Sequence, residues 1–229
     1  MRGDDFDFFK FRLFMHYPQD FDIPENIMRL IKDTLLPNLF ETPALFQYKT
    51  IPISGTNARS EQIDLKMANG FKGPIIYQLL KNCNYAVVHL ISINTKSISD
   101  EWESFVSYCF YNTVLQMSSD MLRIKILRDW HLPGKKLTQR YAPGYCGWPL
   151  YEQQNILECL QPSHIGVTMS ESFSLQPMHS ITGIYGIRTD PDVRERMPCY
   201  KCTSISCGVH DDFIREVDSN KSIRGDRYE

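Results

Sequence analysis

Arg140, Tyr141, Ala142, Pro143, Gly144, Tyr145, Cys146, Gly147, Trp148, Pro149 and Leu150 bring a guanidinium, two phenols and an indole into one stretch punctuated by proline and glycine. Proline lacks the N–H that a helix interior or central strand needs, and glycine costs backbone entropy there, so this stretch must be an ordered loop. A loop built from fixed-φ and free-φ residues can hold its N–H and C=O groups in one set geometry, as a small polar ligand requires. Arg140 adds a planar fork of donors suited to a carboxylate, and Tyr141, Tyr145 and Trp148 add flat faces for a base or a cation. The same residues also fit an aromatic turn that plugs one end of a core.

A second set of reactive side chains follows Pro198, where Cys199, Cys202 and Cys207 lie in a stretch with little apolar periodicity. Thiols so placed are not core hydrophobes. Three thiolates at this spacing suit zinc, or three corners of an iron–sulfur cluster, with a fourth ligand from His210, Cys146 or Cys159. A reduced tail without metal is the alternative.

These residues sit in a chain of 229, long enough for one well-buried core and short for two full domains. With 25 basic against 27 acidic residues there is no electrostatic footprint for nucleic acid or an anionic membrane, so partners are expected to be proteins or small molecules. No apolar run reaches the length of a membrane span and the N-terminus lacks a signal-peptide core, which gives a cytoplasmic expectation. Seven cysteines, an odd number with three crowded together, fit a reducing compartment better than a disulfide framework.

The elements that must position the loop are read from periodicity. Asp5 to Met15 alternates Phe and Asp and then turns Phe-rich, an ambiguous short strand or docking arm. Asp22 starts a helix carrying Ile27, Leu30, Ile31 and Leu35 on one face, and Pro37 should stop it. Leu45 to Ile53 reads as a strand broken by Gly55, Phe71 to Asn82 as a short helix, and Tyr85 to Ile91 as a strand buried on both sides. His89, inside that apolar run, is expected to be a hydrogen-bonded structural residue. Ser99 to Trp130 is the longest helix, with a broad apolar stripe from Trp102 to Leu122. The segment from Asp211 to Glu229 is polar and charged.

With these residues in view, the chain resembles the reactivation domain of cobalamin-dependent methionine synthase and its free-standing relatives. The resemblance is carried by the Arg-x-x-x-Gly-Tyr core at Arg140, Gly144 and Tyr145, and by the Pro-Gly-Tyr-x-x-Trp-Pro-Leu run ending at Leu150. It continues in Thr168 to Phe173, similar to the family's Leu-Thr-Glu-Ser-Phe, and in Ser180 to Gly183, similar to its Ser-Val-Ser-Gly. The match runs from about Leu137 to Cys207, with a fainter reach back to about Asp64. The free-standing relatives carry a similar Cys-rich tail.

The resemblance implies an α+β fold with helices packed on a twisted, mainly antiparallel sheet. It divides the chain into an N-terminal arm, helix and strand over 1–63, a core over 64–197 and the Cys-rich tail over 198–229. It also implies that S-adenosylmethionine binds here and that its methyl group is presented to cobalamin on a partner corrinoid protein, reduced beforehand by one electron from a reductant protein. In such a scheme Arg140 holds the donor's carboxylate end, the backbone around Ala142 and Gly144 meets its polar edges, Tyr145 borders the adenosine or sulfonium, and Glu171 is a further candidate contact. Where the family has a carboxylate on the long helix this chain has Gln116, with Asp120 one turn later, and the acidic ligand that the full synthase contributes from further upstream has no match. The expected role is a component that works with partner polypeptides and not a complete methionine synthase.

Two other readings compete. Asp129-x-His131-x-x-Gly134 has the spacing by which some cobalamin domains supply a histidine to cobalt, but it follows a long helix where a strand is required, and the chain has no Gly-Gly pair. The other is a non-catalytic assembly or electron-relay module of a corrinoid methyltransferase system. There Cys199, Cys202 and Cys207 hold the metal and the Arg140 loop is a docking surface.

Overall fold

The computed structural model describes residues 6–95, 98–130, 136–145, 147–162 and 165–188. Its six-stranded sheet runs in the order β3 (Ala68–Lys72), β2 (Gln62–Leu65), β1 (Leu45–Asn57), β4 (Tyr85–Ser92), β8 (Ser180–Arg188), β5 (Lys136–Leu137). Every pairing in it is antiparallel. A separate two-stranded ribbon joins β6 (Thr168–Met169) to β7 (Leu175–Gln176). The α+β architecture with an antiparallel sheet is the one the family resemblance implied.

Strand β4 reads as an unbroken apolar run because both of its faces are covered. Val87 and Ile91 enter one apolar cluster, with helices α1 (Phe8–Met15), α2 (Glu25–Leu30), α3 (Leu36–Glu41) and α5 (Glu101–Asp129). Ala86, Val88 and Leu90 enter the other, with α4 (Pro74–Leu80) and α6 (Gln153–Leu160). Strand β8 alternates in step: Tyr185 and Ile187 face the α5 side and Ile184 faces the α6 side. The sheet is thus a partition, and a side chain's parity decides which core it joins.

Three local expectations give way to tertiary structure. The Phe-rich N-terminus is a helix: the Asp7 carboxylate accepts the Lys10 N–H at 3.0 Å, and Phe11 and Met15, one turn apart, are buried. Phe6 stacks on Phe110 of α5 at 4.9 Å, which ties this helix to the body. Pro37 does not stop the second helical run. A π turn over Ile31–Leu35 lets the Leu36 N–H reach the Ile31 C=O, and Pro37 then falls in the first turn of α3, where a missing N–H is tolerated. Nor does Gly55 break β1, because the register against β2 slips between Ile53 and Gly55 and the strand continues through that bulge to Asn57.

The long helix α5 is capped by Asp100, whose carboxylate accepts the Glu103 N–H at 2.9 Å, with Glu101 and Glu103 at the positive end of the helix dipole. Its middle, from Cys109 to Leu115, is enclosed except at Asn112, which makes α5 the fixed wall facing β4 and β8. No helix among the described residues is long and apolar enough to cross a membrane.

Candidate ligand site

The Arg140 stretch runs alongside β8. Tyr141 donates its N–H to the Ile184 C=O at 3.0 Å and accepts the Ile184 N–H at 2.8 Å. Extended backbone alternates its side chains, so this one bridge sends Arg140 and Tyr141 to opposite faces of the sheet.

Tyr141 enters the α6 side. Its ring stacks on Trp148 with centroids 5.3 Å apart and planes 8° from parallel, Trp148 meets Phe71 edge-on at 5.5 Å, and the Tyr141 hydroxyl donates to the Tyr145 C=O at 2.8 Å. This half of the stretch plugs a core. The turn between is tied by its own backbone: Tyr145 N–H to Ala142 C=O at 3.2 Å, Gly144 N–H to Trp148 C=O at 2.8 Å and Trp148 N–H to Tyr145 C=O at 2.9 Å. Gly144 adopts φ 90°, which only glycine takes without strain. Ala142 is buried, while the Tyr145 side chain stands half exposed at the rim.

Arg140 enters the α5 side. Its Nη2 donates to Gln116 Oε1 at 3.0 Å, whereas its buried Nη1 has no hydrogen-bond partner among the described residues. No carboxylate among the described residues forms an ion pair with it. The loop arginine and Gln116 of the long helix are therefore in contact. A neutral amide at Gln116 fixes one arm of the guanidinium without neutralising its charge. Asp120 is turned elsewhere and pairs with Lys10 at 3.3 Å.

Behind Arg140 lies His89, fully buried and directly opposite Gly183 in the β4–β8 register. Its ring stacks on Tyr185 at 5.1 Å and 26°, and the Tyr185 hydroxyl meets Ser119 Oγ of α5 at 3.0 Å. Burial, and secondly the neighbouring Arg140 cation, hold the imidazole neutral, with its pKa well below the ordinary histidine value. The sequence suggested a hydrogen-bonded structural histidine. Instead, neither ring nitrogen has a partner among the described residues. Gly183 is required for this arrangement, since a Cβ there would lie 2.5 Å from His89 Cε1 and 3.2 Å from Arg140 Cγ.

Glu171 is exposed in the turn between β6 and β7, and no hydrogen bond or ion pair joins it to Arg140 or Gln116. The turn is anchored by a residue that sequence reading passed over. Gln153 donates through Nε2 to the Phe173 C=O at 2.5 Å and accepts the Thr182 hydroxyl of β8 on Oε1 at 3.0 Å. An isolated amide at a helix start carries no motif that would have marked it.

The cobalt-ligating reading of Asp129 meets an engaged carboxylate. Asp129 accepts Lys125 Nζ at 2.8 Å and the Tyr48 hydroxyl at 2.6 Å, bonds that hold its carboxyl below the usual range and push the Tyr48 phenol up to about 12. His131 and Gly134 lie outside the described residues, as do Cys146, Cys199, Cys202, Cys207 and His210. Among the described residues no group of three or more His, Cys, Asp or Glu is arranged to hold a metal ion. Cys159 packs in the α6 core, where burial raises its thiol pKa, an environment that favours the neutral thiol over a metal-binding thiolate.

No family model and no curated protein matches the chain. Among solved structures, the MetH reactivation domain bound to AdoHcy is similar over 95% of this chain and 84% of that one, at 14% identity and a TM-score of 0.57. At that identity the likeness is one of fold, and it extends well beyond the motif region that the sequence resemblance covered. The chain has the α+β fold of a methionine synthase reactivation domain.

Proposed function

We propose that this protein binds S-adenosylmethionine at Arg140 and Gln116 and presents its methyl group to a corrinoid carried by a partner protein. One observation carries the reading: on a fold shared with a reactivation domain that binds AdoHcy, the motif arginine is held by a neutral amide and keeps a buried, unpartnered Nη1. A guanidinium so placed suits the carboxylate of an amino-acid ligand, which would complete a charge-assisted pair. The half-exposed Tyr145 ring borders the adenosine or sulfonium, the Ala142–Gly144 turn fixes the rim, and Glu171 is an outer contact.

The protein's part is position. Methyl transfer breaks the bond from sulfonium sulfur to methyl carbon, leaves S-adenosylhomocysteine, and forms a carbon–cobalt bond on a corrinoid that a separate reductant protein has reduced by one electron. Because transfer removes the reduced corrinoid from equilibrium, it draws an unfavourable reduction forward. Holding sulfonium and cobalt in line lowers the entropic part of the barrier.

The test is an oxygen-free mixture of this protein, a corrinoid protein, a low-potential reductant and S-adenosylmethionine labelled in its methyl group. Label is expected on cobalt only when the wild-type protein is present, and the Arg140→Ala variant should not support transfer. Equal labelling with and without the protein would remove the proposal.

A further inference from the structure

We infer that His89 is a further contact residue of this site, hydrogen-bonding the α-amino-acid end of the nucleoside that Arg140 holds. It rests on the proposed binding of S-adenosyl compounds at Arg140. The ring lies on the floor of the sheet with its Cε1–Nε2 edge packed against Gly183 and beside the Arg140 stem. Tyr185 covers one face of the imidazole and is itself held by Ser119.

A phenylalanine would stack on Tyr185 equally well, so packing does not account for the two nitrogens. Buried polar atoms are nearly always paired, and the exceptions ask for a role. Here three such atoms belong to two neighbouring residues: His89 Nδ1, His89 Nε2 and Arg140 Nη1. A neutral imidazole offers one donor and one acceptor, and the guanidinium offers only donors. A carboxylate matches the Arg140 arm and one imidazole N–H. These groups therefore suit the carboxylate of the amino-acid end.

The experiment uses the full chain with S-adenosylhomocysteine as probe, read two ways. With histidine labelled in its ring nitrogens, the His89 nitrogen resonances of the wild-type protein are expected to move on saturation. By calorimetry, His89→Phe should bind the probe at least tenfold more weakly while melting no lower than wild type, a combination that a purely structural histidine would not give. If the wild-type protein binds the probe but the ring nitrogens stay in place and His89→Phe binds equally well, the role of His89 is overturned and the Arg140 proposal stands. If the wild-type protein takes up no probe at millimolar concentration, both fall. Should His89→Phe fail to fold, the nitrogen resonances of the wild-type protein decide alone.

Discussion

Arg140 has two jobs that a single point charge cannot share. One arm of its fork engages Gln116, and the other is buried with no partner among the described residues. Arg140→Lys should therefore lose most of the affinity for S-adenosylmethionine although the charge is kept, because one ammonium cannot both hold the amide and meet a carboxylate in plane. Calorimetry on the two proteins checks this, and equal affinity would show that the fork geometry is not in use. Gln116→Leu removes the anchor and leaves the cation. It is expected to weaken binding severalfold and to lower the melting temperature, since a hydrogen bond from a charged donor is worth about 1.5–3 kcal/mol. Both positions were marked before the structure, Arg140 by its motif and Gln116 only through the family resemblance. Neither showed that they touch, because that contact depends on Arg140 lying on the α5 side of a bridge made far along the chain.

At the scale of elements, close approach to β8 is what positions the site. A Cβ on Gly186 would overlap Cys83 Sγ and lie 2.8 Å from Leu80 Cδ2 and 3.0 Å from Thr138 Cγ2. Gly186→Ala is thus expected to destabilise the fold by about 1–3 kcal/mol, measured by chemical denaturation. Strand β4 was legible because burial on both faces leaves a continuous apolar run. Helix α5 was legible because its long apolar stripe repeats over many turns, while its Asp100 cap emerges only in the structure. The N-terminal helix was not, since Phe6, Phe8, Phe9 and Phe11 fit a period of 2 and a period of 3.6 about equally, and the packing of Phe6 on Phe110 decides the matter. Pro37 misled because a π turn, which leaves no mark in composition, moves it to a position where proline is harmless. The short β2, β3, β6 and β7 and the anchoring Gln153 had no periodic signal at all; pairing and hydrogen bonds between distant segments define them.

On the scale of the whole molecule, two buried neutral histidines couple stability to pH. His89 lies well below the ordinary histidine value and His179, buried against Tyr108 and Tyr111, is lowered to about 4, chiefly by burial in both cases. The unfolded chain protonates these residues near the ordinary value while the folded protein resists. Stability should accordingly be full above about pH 7 and fall as pH drops toward 4, with the unfolded state binding more protons throughout. Thermal melts across that window are expected to show the slope, and His179→Phe should flatten it. The Cys-rich tail makes a separate proposal: protein purified without oxygen should carry zinc or an iron–sulfur cluster that Cys202→Ser releases, measured by metal analysis and visible absorbance.

The central claim is that Arg140 is the anchor of an S-adenosyl ligand, and a calorimetric titration of wild type and Arg140→Ala with S-adenosylhomocysteine tests it most directly. The account expects saturable binding to the wild-type protein and an affinity more than tenfold lower in the variant, as the loss of a charge-assisted contact of roughly 1.5–3 kcal/mol requires. No heat from the wild-type protein at millimolar ligand, or the same affinity in both proteins, would contradict it.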